Sequence, residues 1–149
     1  MEQLNLPAYQ FKIKTDGQRK QIFDRIRKKY VAWTPEEWVR QHFINFLIEQ
    51  KKYPESLMAV EMKLKYNRQD KRGDIVIYNN LGKPCVIVEC KSPEIKITQD
   101  VFDQAARYNM ALKVDYLLVT NGLEHYYCHI DYSNNSYTFL EELPENISL

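Results

Sequence analysis

Two short runs rich in β-branched residues, Asp74-Ile75-Val76-Ile77-Tyr78 and Cys85-Val86-Ile87-Val88-Glu89, flank Asn79-Asn80-Leu81-Gly82-Lys83-Pro84. Apolar runs of that length read as strands buried on both faces, and the Gly82-containing connection reads as a hairpin turn. A hairpin apolar enough to sit in the middle of a sheet needs cover on both sides, so the chain is expected to fold as α/β.

The neighbouring segments supply that cover. Residues 18–30 place Ile22, Phe23, Ile26 and Tyr30 at helical spacing, predicting a basic helical flank. Thr34-Pro35-Glu36-Glu37 reads as a helix start, with Thr34 as N-cap, Pro35 in the first turn and Glu37 closing a capping box. The helix it opens carries Trp38, Val39, Phe43, Ile44, Phe46, Leu47 and Ile48 and is expected to run to about Gln50. The apolar period then shortens to two: Val60, Met62, Leu64 and Tyr66 alternate with Glu61, Lys63 and Lys65, a strand with one buried face. After the hairpin, residues 99–112 return to helical spacing behind Thr98 as N-cap, Val114–Thr120 and Glu124–Ile130 read as strands around Asn121-Gly122, and Tyr137–Leu140 reads as an edge strand.

Repeats and Gly/Ser linkers are missing, so the 149 residues are read as one domain, with residues 1–33 as flank, 34–140 as core and 141–149 as an acidic tail. No apolar run approaches the roughly 20 residues needed to span a bilayer, and the opening residues carry no secretory pattern. Cys85, Cys90 and Cys128 are too few for a disulfide framework and lack zinc-type spacing, which fits a reducing, cytoplasmic setting. Charge is balanced at +1 overall but unevenly spread. Lys12, Lys14, Arg19, Lys20, Arg25, Arg27, Lys28 and Lys29 crowd one stretch, either a solvated face or a phosphate-contacting flank.

The chemistry concentrates at Asp74, Glu89 and Lys91. With Leu81 and Gly82 centring the turn, counting outward along both strands brings Asp74 opposite Glu89, with Cβ atoms about 5 Å apart. Lys91, two residues on, shares their face. Opposed carboxylates in apolar surroundings are costly without a cation or proton between them. A divalent metal resolves the conflict, and hard oxygen ligands suit Mg²⁺, with the Cys90 carbonyl as a further ligand. Lys91 beside it could orient a water or steady charge on a phosphoryl oxygen. The bland alternative is that Asp74 ends a turn at Gly73 and Glu89 pairs with Lys91 on a solvated sheet.

Arg72-Gly73-Asp74-Ile75-Val76-Ile77 followed by Pro84-Cys85-Val86-Ile87-Val88-Glu89-Cys90-Lys91-Ser92-Pro93 resembles the PD-(D/E)xK nuclease superfamily, and more closely the N-terminal nuclease domain of type I restriction enzyme R (HsdR) subunits. Gln104-Ala105-Ala106-Arg107-Tyr108 matches the QxxxY element of some of these nucleases, and Thr120-Asn121-Gly122 also fits. The resemblance implies a restriction-endonuclease-like three-layer α/β/α fold with a mixed central sheet, metal ligation by Asp74 and Glu89, and a catalytic Lys91. It implies Gln104 and Tyr108 as a supporting pair near the DNA backbone, and a glutamate on the first core helix, for which Glu37 is chosen and Glu36 is the alternative. Arg72 contacts phosphate or pairs with an acid, and Arg40 is equally open.

The function so implied is Mg²⁺-dependent hydrolysis of DNA phosphodiester bonds, Mn²⁺ substituting. The alternative is a catalytically silent nucleic-acid-binding or assembly module on the same fold. No P-loop sequence is present, so a motor would be a separate partner, alongside other restriction-modification subunits. A nuclease that cuts both strands would gain from two active sites, so a homo-oligomer stays open. His125 and His129, and the tyrosines Tyr126, Tyr127, Tyr132 and Tyr137, read as structural.

Overall fold

In a computed structural model, residues 1–66 and 69–145 are described, with only the backbone course for 62–66, 69–73, 108 and 111. Three strands come first: β1 (Ile13–Asp16), β2 (Arg19–Asp24) and β3 (Lys29–Ala32). They form a small antiparallel sheet in that order. The helix expected over residues 18–30 is therefore absent. Two turns break it: Gly17 at φ +62° between the paired Asp16 and Arg19, and a loop from Asp24 to Lys28, the latter at φ +55°. The Asp24 carboxylate caps that loop by accepting the Ile26 and Arg27 N–H groups at 2.7 and 2.8 Å. Asp16-Gly17 is a hairpin signal in its own right, and it outweighed the apparent helical period.

Helix α1 (Pro35–Glu49) begins as expected, the Thr34 hydroxyl accepting the Glu37 N–H at 3.0 Å. A six-stranded sheet follows, built from β4 (Met58–Tyr66), β5 (Gln69–Tyr78), β6 (Pro84–Cys90), β7 (Tyr116–Thr120), β8 (His125–Asp131) and β9 (Ser136–Leu140), neighbours in chain order. All pairs are antiparallel except β6–β7, whose parallel connection runs through helix α2 (Gln99–Leu112). The sheet is mixed, as expected. For β4, the expected alternation past Val60 falls on side chains outside the described residues.

Alternation along the central strands shows that both faces are covered. Ile75, Ile77, Val86, Val88 and Leu118 pack with Val39, Phe43, Ile44 and Leu47 of α1. Their neighbours Leu117 and Val119 pack with Phe102 and Ala106 of α2, and Val76 and Ile87 pack with Val114 and Leu112. One helix lies on each face, giving the three layers.

α1 buries polar residues as well as apolar ones: Glu37, Arg40, Gln41 and His42 are buried along with Val39, Phe43, Ile44 and Leu47. The small sheet explains this, since Asp24 of β2 accepts a hydrogen bond from Gln41 Nε2 at 3.0 Å and its loop residue Arg27 donates to Glu37 at 2.8 Å. The residues before β1 also pack down. The Asn5 N–H donates to the Gly122 carbonyl at 2.8 Å, and Gly122, at φ +87°, lies so close under the Leu4 and Val39 side chains that a Cβ would clash with them. The stretch expected to be an acidic tail buries Leu143 fully, with the Tyr53 hydroxyl donating to the Pro144 carbonyl at 2.8 Å. Among the described residues no helix is long and apolar enough to cross a membrane.

Candidate active site

The β5–β6 ladder pairs Ile75 with Val88, Val76 with Ile87 and Ile77 with Val86 before a bulge at Tyr78. One more step of that register brings Asp74 opposite Glu89. Asp74 Oδ2 accepts the Cys90 N–H at 2.7 Å, which fixes its carboxylate against the start of the loop after β6. Cys90 itself is buried in the core.

The electrostatics follow from burial. Desolvation, and then the charge of Asp74, push the Glu89 carboxyl up to about 8, against the pull of Lys91 and Arg40. Asp74 is also raised by burial, although the Cys90 N–H and Arg40 work the other way. Glu36 is raised by burial and by Asp74, and it too feels Lys91. Asp74, Glu89, Glu36 and the Lys91 ammonium thus share one field.

Arg40 links these acids. Its Nη2 lies 3.1 Å from Asp74 Oδ1, 3.0 Å from Glu36 Oε1 and 3.1 Å from Glu61 Oε1, while Nη1 lies 2.7 Å from Glu37 Oε1. Burial alone would weaken its charge, but Glu37 and Asp74 outweigh that and hold it protonated. Of the two roles left open for Arg40, the structure takes the ion pair with an acid.

The two helix glutamates divide. Glu37 is enclosed by Arg27, Arg40 and Gln41, at 2.8, 2.7 and 3.0 Å, and faces the small sheet. Glu36, nearly half exposed, is the one whose charge couples to Asp74 and Glu89. Glu36, the alternative of the two, shares Arg40 Nη2 with Asp74, whereas Glu37 takes Nη1.

Glu61 was read from the sequence as the solvent side of β4. It lies between the ladder pairs Val60↔Ile75 and Met62↔Gly73, at the place that faces Asp74, and has φ +57°. A non-glycine residue in that region inside a strand marks a local departure from regular pairing. It turns the carboxylate toward Arg40. The available signal was the β4–β5 register, which sets Glu61 across from Asp74 just as Glu89 is on the other side.

The remaining expected residues are dispersed or out of view. Gln104 is exposed on α2, and the side chains of Tyr108 and Arg72 lie outside the described residues. His125 is structural: its Nε2–H donates to the Asn5 carbonyl at 2.9 Å, so its Nδ1 accepts from the Thr120 hydroxyl at 2.7 Å. Among the described residues no group of three or more His, Cys, Asp or Glu side chains is arranged as a ready-made metal cage.

Residues 35–144 match the family model described as type I restriction enzyme R protein N terminus (HSDR_N). The chain belongs to this family. The match covers the core helix, the β5–β6 hairpin and the strands after it, and so includes every residue of the site just described. Among solved structures, a fragment described as a putative HsdR subunit of a type I restriction enzyme from Vibrio vulnificus YJ016 is 17% identical with a TM-score of 0.46, covering 68% of this chain and 22% of that one. The chain thus spans about a fifth of that fragment. No curated protein matches it.

Proposed function

We propose that this chain is a metal-dependent DNA endonuclease domain of a type I restriction enzyme R subunit, cleaving phosphodiester bonds with Asp74, Glu89 and Lys91. What supports the reading most is the Asp74–Glu89 pair. The strand register sets the two residues opposite each other, and burial with the charge of Asp74 pushes the Glu89 carboxyl up to about 8. A divalent cation would supply the opposing charge, and Mg²⁺ binds with one or two carboxylates and water rather than a full protein cage. The donor chemistry therefore fits, with Asp74 and Glu89 as ligands, the Cys90 carbonyl a third and Mn²⁺ a substitute.

When bound, the cation supplies the charge that polarises the scissile phosphate and eases deprotonation of the attacking water. The side chains do the rest. Lys91 Nζ orients the water or meets the negative charge that grows on the phosphoryl oxygens as the P–O bond to the leaving group breaks. Glu36, partly exposed at the helix start, is placed to accept a proton or hold a water. Arg40 fixes the Asp74 carboxylate in position. Gln104, Tyr108 and Arg72 are proposed contacts to the DNA backbone, and Glu37 a support for Arg40. DNA is the proposed substrate, with other restriction-modification subunits as partners in the cytoplasm.

A second reading is a silent module that binds nucleic acid or assembles with partners. The Arg40–Asp74 ion pair favours it, because a guanidinium already partners one of the two carboxylates. Nicking of supercoiled plasmid with Mg²⁺ or Mn²⁺, alongside calorimetric metal titration, separates the two. Asp74→Ala and Glu89→Ala are expected to lose both metal binding and nicking. Lys91→Ala is expected to keep metal binding and nick at least about 100-fold more slowly. Equal, negligible metal binding by all these proteins would overturn the catalytic reading.

A further inference from the structure

The basic stretch from Lys12 to Lys29 is not absorbed by the site above. Strand pairing sorts its side chains into two faces. On β2, Ile22 and Asp24 are fully buried and turn inward, while Ile13, Thr15, Lys20 and Lys29 further out on the same face are exposed. The opposite face, set by the pairs Lys14↔Gln21, Asp16↔Arg19 and Phe23↔Tyr30, looks outward. Lys12, Lys14 and Arg19 are exposed there, and Phe23 and Tyr30 are half-buried.

The two rings meet edge to face with centroids 5.2 Å apart. The Lys14 ammonium lies 4.2 Å above the Tyr30 ring and the Lys12 ammonium 5.4 Å above the Phe23 ring. Arg19, Gln21 and Ala32 of this face, together with Lys20 from the other face and Trp33, line an open hollow of about 450 Å³ at the sheet's end. Asp16 is the one acid this outward face contributes from the three strands. A solvated, merely solubilising face has no use for adjacent rings under its cations. Aromatic rings interleaved with phosphate-seeking ammonium groups are the composition that grips single-stranded nucleic acid.

We propose that the outward face of the β1–β3 sheet binds a single-stranded polynucleotide, with bases stacked on Phe23 and Tyr30 and phosphates on Lys12, Lys14 and Arg19. The exposed cation–ring contacts are weak, so an arriving base takes the ring while the ammonium moves to a phosphate. The platform is coupled to the acids, because Asp24 and Arg27 tie the same sheet to α1, the helix that carries Glu36 and Arg40. A strand held there is held by the element that shapes the site. The proposal rests on the nucleic-acid part of the reading above and not on catalysis.

The test is fluorescence anisotropy of a labelled oligo(dT) against the full chain in EDTA, over a range of salt concentrations, with a duplex and heparin as competitors. Lys12→Glu with Lys14→Glu is expected to weaken oligo(dT) binding at least tenfold and lower the salt slope by about 1.4, two phosphate contacts at roughly 0.7 each. Tyr30→Leu is expected to weaken binding several-fold with the slope unchanged, the mark of lost stacking. Circular dichroism checks that each variant folds. Binding unaffected by the charge reversal, or heparin and duplex competing as well as oligo(dT) while Tyr30→Leu changes nothing, would overturn it; the latter outcome would mark a general polyanion surface. Asp74→Ala, which tests catalysis, is expected to leave this binding intact, so each reading fails separately.

Discussion

Arg40 Nη2 stands 3.1 Å from Asp74 Oδ1 across 34 positions of sequence, and the same guanidinium touches Glu36, Glu37 and Glu61. It is the internal counter-ion of a site that otherwise gathers carboxylates.

Removing Arg40 should therefore cost more than removing an ordinary surface arginine. Arg40→Met leaves Asp74 buried without its guanidinium and Glu37 still paired with Arg27, and a loss of about 3–5 kcal/mol is expected. Urea denaturation followed by far-UV circular dichroism measures it. A variant within about 0.5 kcal/mol of the wild type would show that the pair contributes nothing net.

Glu89 predicts a pH dependence of known sign. Its folded carboxyl is raised to about 8 from an ordinary 4.5. Below 4.5 it is protonated in both states and carries no penalty. Between 4.5 and 8 the unfolded chain ionises while the folded chain must keep the proton, so stability falls as pH rises through that window. In EDTA, denaturation midpoints from pH 5 to 9 should decline for the wild type and flatten for Glu89→Gln. Adding Mg²⁺ should restore the wild type at pH 8 and leave Glu89→Gln where it was; parallel pH curves for the two proteins would contradict the placement of Glu89 in a dry site.

Asp24 anchors the small sheet. It is fully buried, and although burial alone would raise it, hydrogen bonds from Arg27 and Gln41 hold its carboxyl below the usual range. Asp24→Ala strips partners from Arg27 and Gln41 together, and about 3–5 kcal/mol is the expected loss. Limited proteolysis should then cut before Thr34 first. Unchanged protease resistance would mean that the small sheet is held by its apolar contacts alone.

Gly122→Ala tests the seat of the N-terminal residues. A Cβ there would lie 2.7 Å from Leu4 Cδ2 and 3.0 Å from Val39 Cγ2, at a φ of +87°. Strain and clash together are expected to cost about 1–3 kcal/mol, read as a fall in Tm. If the melting temperature is unmoved, Leu4 does not pack there in solution.

Most of the large sheet was legible in the sequence, because its signals are local. Period two, β-branched runs and the turns at Gly82 and Gly122 set the strands, and outward counting from Leu81 and Gly82 reaches the register of Asp74 and Glu89, which the chain attains through a bulge beside Tyr78. The capped start at Thr34 announced α1. The first 33 residues misled, since Ile22, Phe23, Ile26 and Tyr30 satisfy a helical spacing while belonging to two strands and the loop between them. Asp16-Gly17 was the better guide.

What the sequence determined alone was the hairpin, because its two strands and turn are local signals; the register that faces the acids also needed the bulge beside Tyr78, which shifts the Tyr78–Pro84 pairing by one residue. Which glutamate of α1 meets them was decided only in three dimensions. Successive helical residues point roughly 100° apart, so Glu36 and Glu37 cannot both face Asp74, and the choice depends on how the helix is rotated. Contacts far off in sequence set that rotation: Asp24 and Arg27 draw Glu37 and Gln41 toward the small sheet, and Arg40 and Glu36 are left to turn to Asp74.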